Sequence, residues 1–295
     1  MVLEKTNLQI IDDFLSTKKS EQTKKVYRVE LQKFANFVNK SFDEVTNWDI
    51  IDFNKVLMAN SKSDATRQRI YSTIRSLYTW LVKMHVISAE QNPTNGTIEK
   101  LTPHVDLENK FLTVKEVEAF KEKAKPNARN YAMVAVLATT GLRISEALGI
   151  NWNDIVYLET PEGSGWFASV TRKGGKKQNI FLPDGTYEAL MRLRRNIPIN
   201  PKDDSPVFTS LFAGQHKRIT ATGARKTLEQ IAKAAGIEKE FTPHWFRHTF
   251  VSQCIAAGAN PRDVQWQAGH SSFRTTERYL HAMSKGVGKF FPVKF

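Results

Sequence analysis

A stretch without helical periodicity divides the sequence into two parts. Residues 92–110 contain Pro93, Gly96 and Pro103, and their apolar side chains follow no helical spacing. Because proline and glycine interrupt regular structure, we interpret this stretch as a linker. The 295 residues are enough for two domains that each bury a core. We therefore predict an N-terminal domain over 1–91, a linker over 92–110 and a C-terminal domain over 111–295.

The first part shows the apolar stripes of amphipathic helices. Apolar side chains recur at i, i+4, i+7 and i+11 in two segments, as Tyr27, Leu31, Phe34 and Val38 and as Ile70, Ile74, Leu77 and Leu81. A shorter helix is predicted over residues 8–15, and another from a cap at Asn47 to about Met58. The first part is therefore predicted to be a unit of four helices.

The second part mixes helix and strand signals. Thr113 is predicted to cap a helix that runs to about Ala124, and Gly141 to end an apolar helix that starts near Tyr131. Further helices are predicted after Asp184 and over residues 220–235. Strands are predicted at 166–171, 178–182 and 207–208, with the turn 173–176 joining the first two. We predict a mainly helical α/β domain with a small β-sheet.

Basic residues outnumber acidic ones in the sequence. It holds 43 Lys and Arg against 30 Asp and Glu, a net charge of +13, and most of this excess follows residue 105. Such a charge indicates a polyanionic partner. A basic surface that only maintains solubility is the alternative.

Composition also bounds the compartment and the cofactors. No apolar run approaches the roughly 20 residues of a membrane span, and the N-terminus has no hydrophobic signal core. We therefore expect a cytoplasmic protein. Cys254 is the only cysteine, which excludes an internal disulfide and a cysteine-based zinc site. His244 and His248 have a spacing that can bind zinc, but no suitable third ligand lies nearby, so we predict neither a metal nor another cofactor.

The segment from residue 242 to residue 283 carries polar side chains at short, fixed spacings. His244 and Arg247 are three residues apart, so they share one face of a predicted helix. Gly269 is predicted to end the next helix, which leaves His270 at a helix terminus. Tyr279 follows on a short final helix. Cationic hydrogen-bond donors beside a tyrosine nucleophile suit phosphate chemistry.

An arginine and a glutamate stand further upstream. Arg143 and Glu146 are three residues apart, directly after the helix break at Gly141. Two such residues often form a surface ion pair of little energetic value. The nearly apolar surroundings favour instead an arginine that is held in place.

Three motifs occur here in one order. They are T-G-x-R-x-x-E-x-L at 140–148, H-x-x-R at 244–247, and G-H followed by T-T-x-R-Y-x-H at 269–281. With the tyrosine close to the C-terminus, the sequence resembles the tyrosine recombinase family of phage integrases and Xer proteins, from about Leu8 to about Met283. The resemblance implies an N-terminal SAM-like helical domain that clamps one side of duplex DNA and a C-terminal catalytic domain.

The resemblance also assigns the groups that would bind the scissile phosphate. Arg143 and Arg247 would neutralise its charge, because a guanidinium can donate two parallel hydrogen bonds to an oxyanion. His270 would hydrogen-bond the same phosphate. Glu146 would orient Arg143 or His244.

A second set of residues would move protons. Tyr279 would be the nucleophile, and because a free tyrosine has a pKa of about 10, it needs a nearby base, for which His244 is the candidate. In the family, a lysine on a β-hairpin protonates the leaving 5′ oxygen. That lysine aligns with Lys173, and Lys176 and Lys177 are the alternatives.

The implied activity is site-specific DNA recombination without metal or ATP. Strands would be cut and rejoined through a 3′-phosphotyrosyl bond and a Holliday junction by four copies on two DNA sites, in an Xer-like protein or a phage or transposon resolvase or integrase. A non-catalytic DNA-binding regulator and a tyrosine-type topoisomerase are the alternatives. The basic side chains predicted to contact double-stranded DNA are Lys24, Lys25, Arg28, Arg67, Arg69, Arg225 and Lys226.

Overall fold

The structure, a computed structural model, describes residues 5–96, 111–160, 163–172, 174–197, 202–210 and 217–269. The chain divides into two compact units, Met1–Val105 and Asp106–Phe295. The predicted domain boundaries at residues 91 and 110 stay predictions, because 97–110 lie outside the described ranges. None of the helices in these ranges combines the length and the hydrophobicity that crossing a membrane requires.

Four α-helices build the described part of the N-terminal unit. They are α1 (Asn7–Ser16), α2 (Glu21–Val38), α3 (Asn47–Ala59) and α4 (Asp64–Lys83). The predicted stripes of α2 and α4 face the core, where Leu31, Phe34, Ile74 and Leu77 are fully buried. The predicted cap of α3 was one residue off, because Thr46 is the N-cap and exchanges hydrogen bonds with Asp49.

The C-terminal unit combines helices with one small sheet. Its helices are α5 (Val114–Ala124), α6 (Ala128–Thr140), α7 (Ile144–Gly149), α8 (Asp184–Arg195), α9 (Ala221–Ala234), α10 (His244–Ala256) and α11 (Pro261–Ala268). Its strands are β1 (Ile155–Thr160), β2 (Gly163–Thr171) and β3 (Lys177–Leu182). The predicted fold class, mainly helical with a small sheet in the second unit, is confirmed.

The three strands form an antiparallel sheet in the order β1-β2-β3. Ala168 in the middle strand pairs with Ile155 on one side and Ile180 on the other. The prediction missed β1, although its β-branched and aromatic residues favour a strand. The strand predicted at Val207 and Phe208 was wrong. Both side chains are fully buried, and the segment makes only isolated bridges, between Asn151 and Pro206 and between Thr209 and Arg218.

Helix α6 lies in the core of the second unit and ends at a required glycine. Gly141 adopts φ +63°, and a Cβ atom there would lie 2.4 Å from the ring of Phe250. A side chain at this position would therefore meet both backbone strain and a steric clash. The tight turn lets Arg143 become the N-cap residue of α7 directly after α6.

Candidate active site

Two of the predicted arginines meet at the turn after α6. Arg247 is buried on α10, and its Nη1 donates to the carbonyl oxygen of Gly141 at 2.9 Å. Arg143 begins α7 two residues after that glycine, and its side chain is 37% exposed. The turn therefore brings a buried guanidinium and a partly exposed one to the same edge of the unit.

Glu146 is the carboxylate that organises this edge. Its Oε1 accepts from Nη1 of Arg143 at 2.8 Å, and its Oε2 accepts from the backbone N–H of Arg143 at 2.9 Å. The predicted pairing of these two residues is therefore confirmed. Because the Glu146 side chain is only 7% exposed, the contact is not an ordinary surface ion pair.

A second arginine, Arg172, shares the same carboxylate. Its Nη1 donates to Oε2 of Glu146 at 2.6 Å, and its side chain is only 9% exposed. Burial lowers the pKa of Arg172, and the negative charge of Glu146 opposes that shift. Arg172 is not among the site residues predicted from the sequence. The available signal was its place at the end of a predicted strand, directly before the turn that carries Lys173.

Three side chains donate to carbonyl oxygens at the C-terminal end of α11. Gln178 Nε2 donates to Trp266 O at 2.9 Å, Arg172 Nη2 donates to Gln267 O, and Arg143 Nη2 donates to Gly269 O at 3.3 Å. Trp266 O also accepts from the backbone N–H of Gly269 at 3.0 Å, so these side chains add to the hydrogen bonding of the carbonyl groups at the end of the helix. The residues bonded in this way directly precede His270 in the sequence.

His244 stands at the start of α10, one turn before Arg247. Although the residue reaches the surface, partial burial of its ring lowers the pKa of His244 from the usual 6.5. The positive charges of Arg247, Arg143 and Arg225 lower this pKa further, and Glu146 opposes them. A lowered pKa favours the neutral imidazole, which can accept a proton.

The structure brings four of the predicted catalytic residues together, namely Arg143, Glu146, His244 and Arg247. Lys176 is exposed, and it lines a groove beside Arg172 and Trp266. Lys173, His270 and Tyr279 lie outside the described residues, so their predicted roles stay predictions. Within the described ranges, no three histidine, cysteine or acidic side chains are grouped so that they could hold a metal ion.

Most of the predicted DNA contacts are accessible. Lys25, Arg28 and Arg69 are exposed in the first unit, and Arg225 and Lys226 are exposed on α9. Lys24 is partly exposed and pairs with Glu21 at 2.7 Å.

Arg67 differs from these six residues. It is 8% exposed, and its guanidinium donates to Asn54 and Asp64. Its burial counts against a direct contact with DNA, so the prediction for this residue is corrected to a role in packing the first unit.

Comparison with known protein families identifies both parts of the chain. The model of the phage integrase family matches residues 110–285. The model of the N-terminal SAM-like domain of phage integrases matches residues 8–87. The two matches lie in the order predicted from the motifs.

Individual relatives agree with the family match. Tyrosine recombinase XerC of Thermodesulfovibrio yellowstonii is 31% identical over 276 residues, which cover 89% of this chain and 86% of the relative. Tyrosine recombinase XerD of Oceanobacillus iheyensis is 29% identical, with 89% and 88% covered.

Two solved structures share the fold. The XerH site-specific recombinase bound to a palindromic difH substrate superposes with a TM-score of 0.76 at 21% identity, over 97% of this chain and 84% of that one. The Tn1549 transposon integrase in complex with a circular intermediate DNA superposes with a TM-score of 0.70 at 20% identity, over 93% and 94%. By its family matches and its relatives, this chain is a tyrosine recombinase of the phage integrase family.

Proposed function

We propose that this chain cuts and rejoins double-stranded DNA at specific sites through a covalent bond between Tyr279 and a 3′ phosphate. The observation that carries the proposal is that Arg143, paired with the buried Glu146, and Arg247, bonded to Gly141 O, meet at one turn, with His244 one helical turn before Arg247 on α10. A DNA-binding protein that did no chemistry would need no such arrangement.

Charge stabilisation is the proposed task of the two arginines. A phosphodiester carries one negative charge, and more charge builds up on its non-bridging oxygens as the nucleophile attacks. Glu146 fixes the direction of Arg143, whose partly exposed guanidinium can turn its remaining N–H groups to a phosphate. Arg247, which is bonded to the carbonyl oxygen of Gly141 at the same turn, adds its positive charge to this edge.

In the proposed cleavage step every proton has a destination. The Tyr279 oxygen forms a bond to phosphorus while its proton passes to neutral His244. The bond between phosphorus and the 5′ oxygen breaks, and a hairpin lysine, Lys173 or Lys176, gives a proton to that oxygen. The products are a 3′-phosphotyrosyl bond and a free 5′ hydroxyl. Attack by the 5′ hydroxyl of a partner strand reverses the step, so neither ATP nor a metal is consumed.

We further propose that four copies act on two DNA sites through a Holliday junction, in the cytoplasm and at the nucleoid. The exposed basic residues on α2 and α9 support contact with the phosphate backbone, since such contacts need positive charge without base recognition. Both Xer proteins and a transposon integrase are among the similar proteins. Resolution of joined replicons and movement of a mobile element are therefore the two roles to compare.

A trapping experiment tests the proposal. The protein is incubated, with EDTA present, with nicked and labelled duplexes that carry sites from its genetic neighbourhood, and the products are separated on a denaturing gel. A covalent protein–DNA band that is absent with Tyr279→Phe supports the proposal. A shift on a native gel without any covalent band would support the regulator instead. Relaxation of supercoiled DNA without site preference would support a topoisomerase.

A further inference from the structure

Backbone hydrogen bonds of Arg172 close the turn between β2 and β3. The backbone N–H of Arg172 donates to the carbonyl oxygen of Lys176 at 2.8 Å, and the N–H of Gly175 donates to the carbonyl oxygen of Arg172 at 3.0 Å. Gly174 and Gly175 both adopt positive φ, as such a tight turn requires. The backbone position of Arg172 therefore fixes where the turn begins.

The side chain of Arg172 anchors this turn to two other elements. Its Nη1 donates to Glu146 on α7, its Nη2 donates to Gln267 O at the end of α11, and its Nε donates to Gln178 Oε1 at 2.8 Å. All three guanidinium nitrogens therefore have partners. Because the side chain is also only 9% exposed, it offers little accessible surface to a DNA phosphate.

Gln178 completes the attachment from the opposite strand. Its Nε2 donates to Trp266 O at 2.9 Å, next to the carbonyl that Arg172 binds. We call Arg172 and Gln178, with these bonds, the hairpin anchor. The carbonyl end of a helix carries partial negative charge, so the cationic Arg172 suits this place.

Gly269 makes room for the hairpin anchor. A Cβ atom at this position would lie 2.9 Å from Cζ of Arg172, and the backbone has φ +64°. A glycine is therefore needed for both the backbone conformation and the close approach of the guanidinium. The residue that follows in the sequence is His270, so the anchor ties the hairpin to the chain directly before a predicted phosphate ligand.

We propose that Arg172 is a positioning residue for DNA cleavage, because it holds the hairpin turn against Glu146 and the end of α11. The turn bears Lys173 and Lys176, two of the three lysines considered as the acid, and the inference rests on the function proposed above. In the step concerned, the bond between phosphorus and the 5′ oxygen breaks, and the lysine ammonium transfers its proton to that oxygen. Arg172 sets the place from which the proton comes and touches no reacting atom.

A substrate with a different leaving group distinguishes this positioning role from a merely structural role of Arg172. In DNA with sulfur in place of the bridging 5′ oxygen, the leaving group is a thiolate, which is stable enough to depart without a proton. A variant that only misplaces the acid should regain its rate on this substrate. A variant that is poorly folded, or that has lost charge stabilisation of the phosphate, should not.

The experiment compares single-turnover formation of the covalent adduct on ordinary and sulfur-containing DNA. We expect Arg172→Gln to be slowed about 100-fold on ordinary DNA, since a misplacement of about 1 Å can cost that much, and to return to within about threefold of wild type on the sulfur substrate. Gln178→Ala, which leaves the Glu146 contact intact, should show a smaller loss with the same recovery. Arg129→Gln is the matched control, because Arg129 is also buried and donates to a backbone carbonyl, that of Thr209, away from the hairpin.

Two outcomes would overturn the proposal. One is an unchanged rate of Arg172→Gln on ordinary DNA, and the other is an equal loss on both substrates. A separate measurement without DNA distinguishes this proposal from the proposed function. Amide hydrogen exchange over residues 172–178 should rise in Arg172→Gln and stay unchanged in Arg129→Gln. If wild type formed no adduct but exchange rose, the function would fail and the anchor would stand; unchanged exchange would refute the anchor itself.

Discussion

Within the residues that the structure describes, each unit contains one buried glutamate bound by arginine, and the two clusters differ in charge. In the first unit, Glu30 on α2 accepts from Arg69 and, at 2.6 Å, from Thr73 on α4. In the second unit, Glu146 accepts from Arg143 and Arg172. We call these sets the Glu30 cluster and the Glu146 cluster.

The count of arginines decides what each cluster can do. The Glu30 cluster holds one carboxylate and one guanidinium, so its formal charges cancel. It joins α2 to α4 and carries no net charge. The Glu146 cluster holds two guanidiniums for one carboxylate, and Arg143 is 37% exposed. The excess positive charge at a partly exposed edge of the unit favours binding of an anion. A buried glutamate paired with arginine therefore joins two helices in the first unit, whereas in the second unit it forms a candidate phosphate-binding site.

The largest expected difference between the clusters is in stability. Glu146→Gln leaves Arg172, with 9% of its side chain exposed, without a compensating charge, and we expect a loss of about 3–5 kcal/mol in the free energy of unfolding. Glu30→Gln leaves Arg69, which is 53% exposed and hydrated by solvent, so we expect about 1–2 kcal/mol. Urea denaturation followed by circular dichroism measures both. A larger loss for Glu30→Gln would contradict the distinction.

The second prediction concerns the charge that the Glu146 cluster offers. Arg143→Gln should slow formation of the covalent adduct by about 100- to 1,000-fold at saturating DNA, because one donor to the developing oxyanion is lost. Its fold should persist, since Arg143 is partly exposed and Arg172 keeps Glu146 paired. Single-turnover kinetics and thermal unfolding check the two parts. A Thr73→Val variant, which alters the Glu30 cluster, is the control and should cleave at the wild-type rate.

The third prediction concerns the turn that delivers Arg143. Gly141→Ala should destabilise the protein by about 2–4 kcal/mol, because the new Cβ meets both a positive φ and the ring of Phe250. Gly236 ends α9 with φ +75° and has no atom within 4 Å of a Cβ, so Gly236→Ala should cost only about 1–2 kcal/mol. Equal losses of stability for the two variants in thermal unfolding would show that the contact with Phe250 contributes nothing to the destabilisation.

The smallest expected effect is on the pKa of His244. Arg225→Ala removes one of the charges that lower this pKa, so the pKa should rise toward 6.5, and Lys226→Ala, at the next position on α9, should leave it unchanged. Nuclear magnetic resonance titration of the imidazole measures the shift. A fall in this pKa on Arg225→Ala would refute the assigned cause.

The lowered pKa of His244 also determines whether its contribution to the free energy of unfolding rises or falls with pH. As the pH falls through 6.5 toward the folded-state pKa, the unfolded chain binds a proton at His244 before the folded protein does. This residue therefore favours unfolding more as the pH falls over that window. Arg225→Ala should reduce this dependence, and denaturation curves at several pH values would reveal an opposite trend.

Local signals in the sequence predicted most of the helices and one pair in the site. The cap at Thr113 and the glycine after α11 are set by residues within a few positions of each other. The contact between Arg143 and Glu146 follows from their separation of three residues.

Contacts between residues that are far apart in the sequence could not be predicted from local signals. Arg172 reaches Glu146 across 26 residues and Gln267 across 95, so only the folded hairpin shows that these groups meet. The burial of Arg67 was missed for a related reason. Arg67 was predicted to face solvent, but it precedes Ile70 by three residues and Ile74 by seven, in line with the apolar stripe of α4, and its guanidinium donates to Asn54 on α3.

The most direct test of a catalytic role for the Glu146 cluster compares Glu30→Gln and Glu146→Gln in one trapping assay. Adduct formation at saturating DNA is measured in a single turnover and normalised to the folded fraction of each variant. We expect the wild-type rate for Glu30→Gln and at least a tenfold loss for Glu146→Gln, because only the latter releases Arg143 and Arg172. Equal rates for the two variants would contradict the assignment of the Glu146 cluster to catalysis.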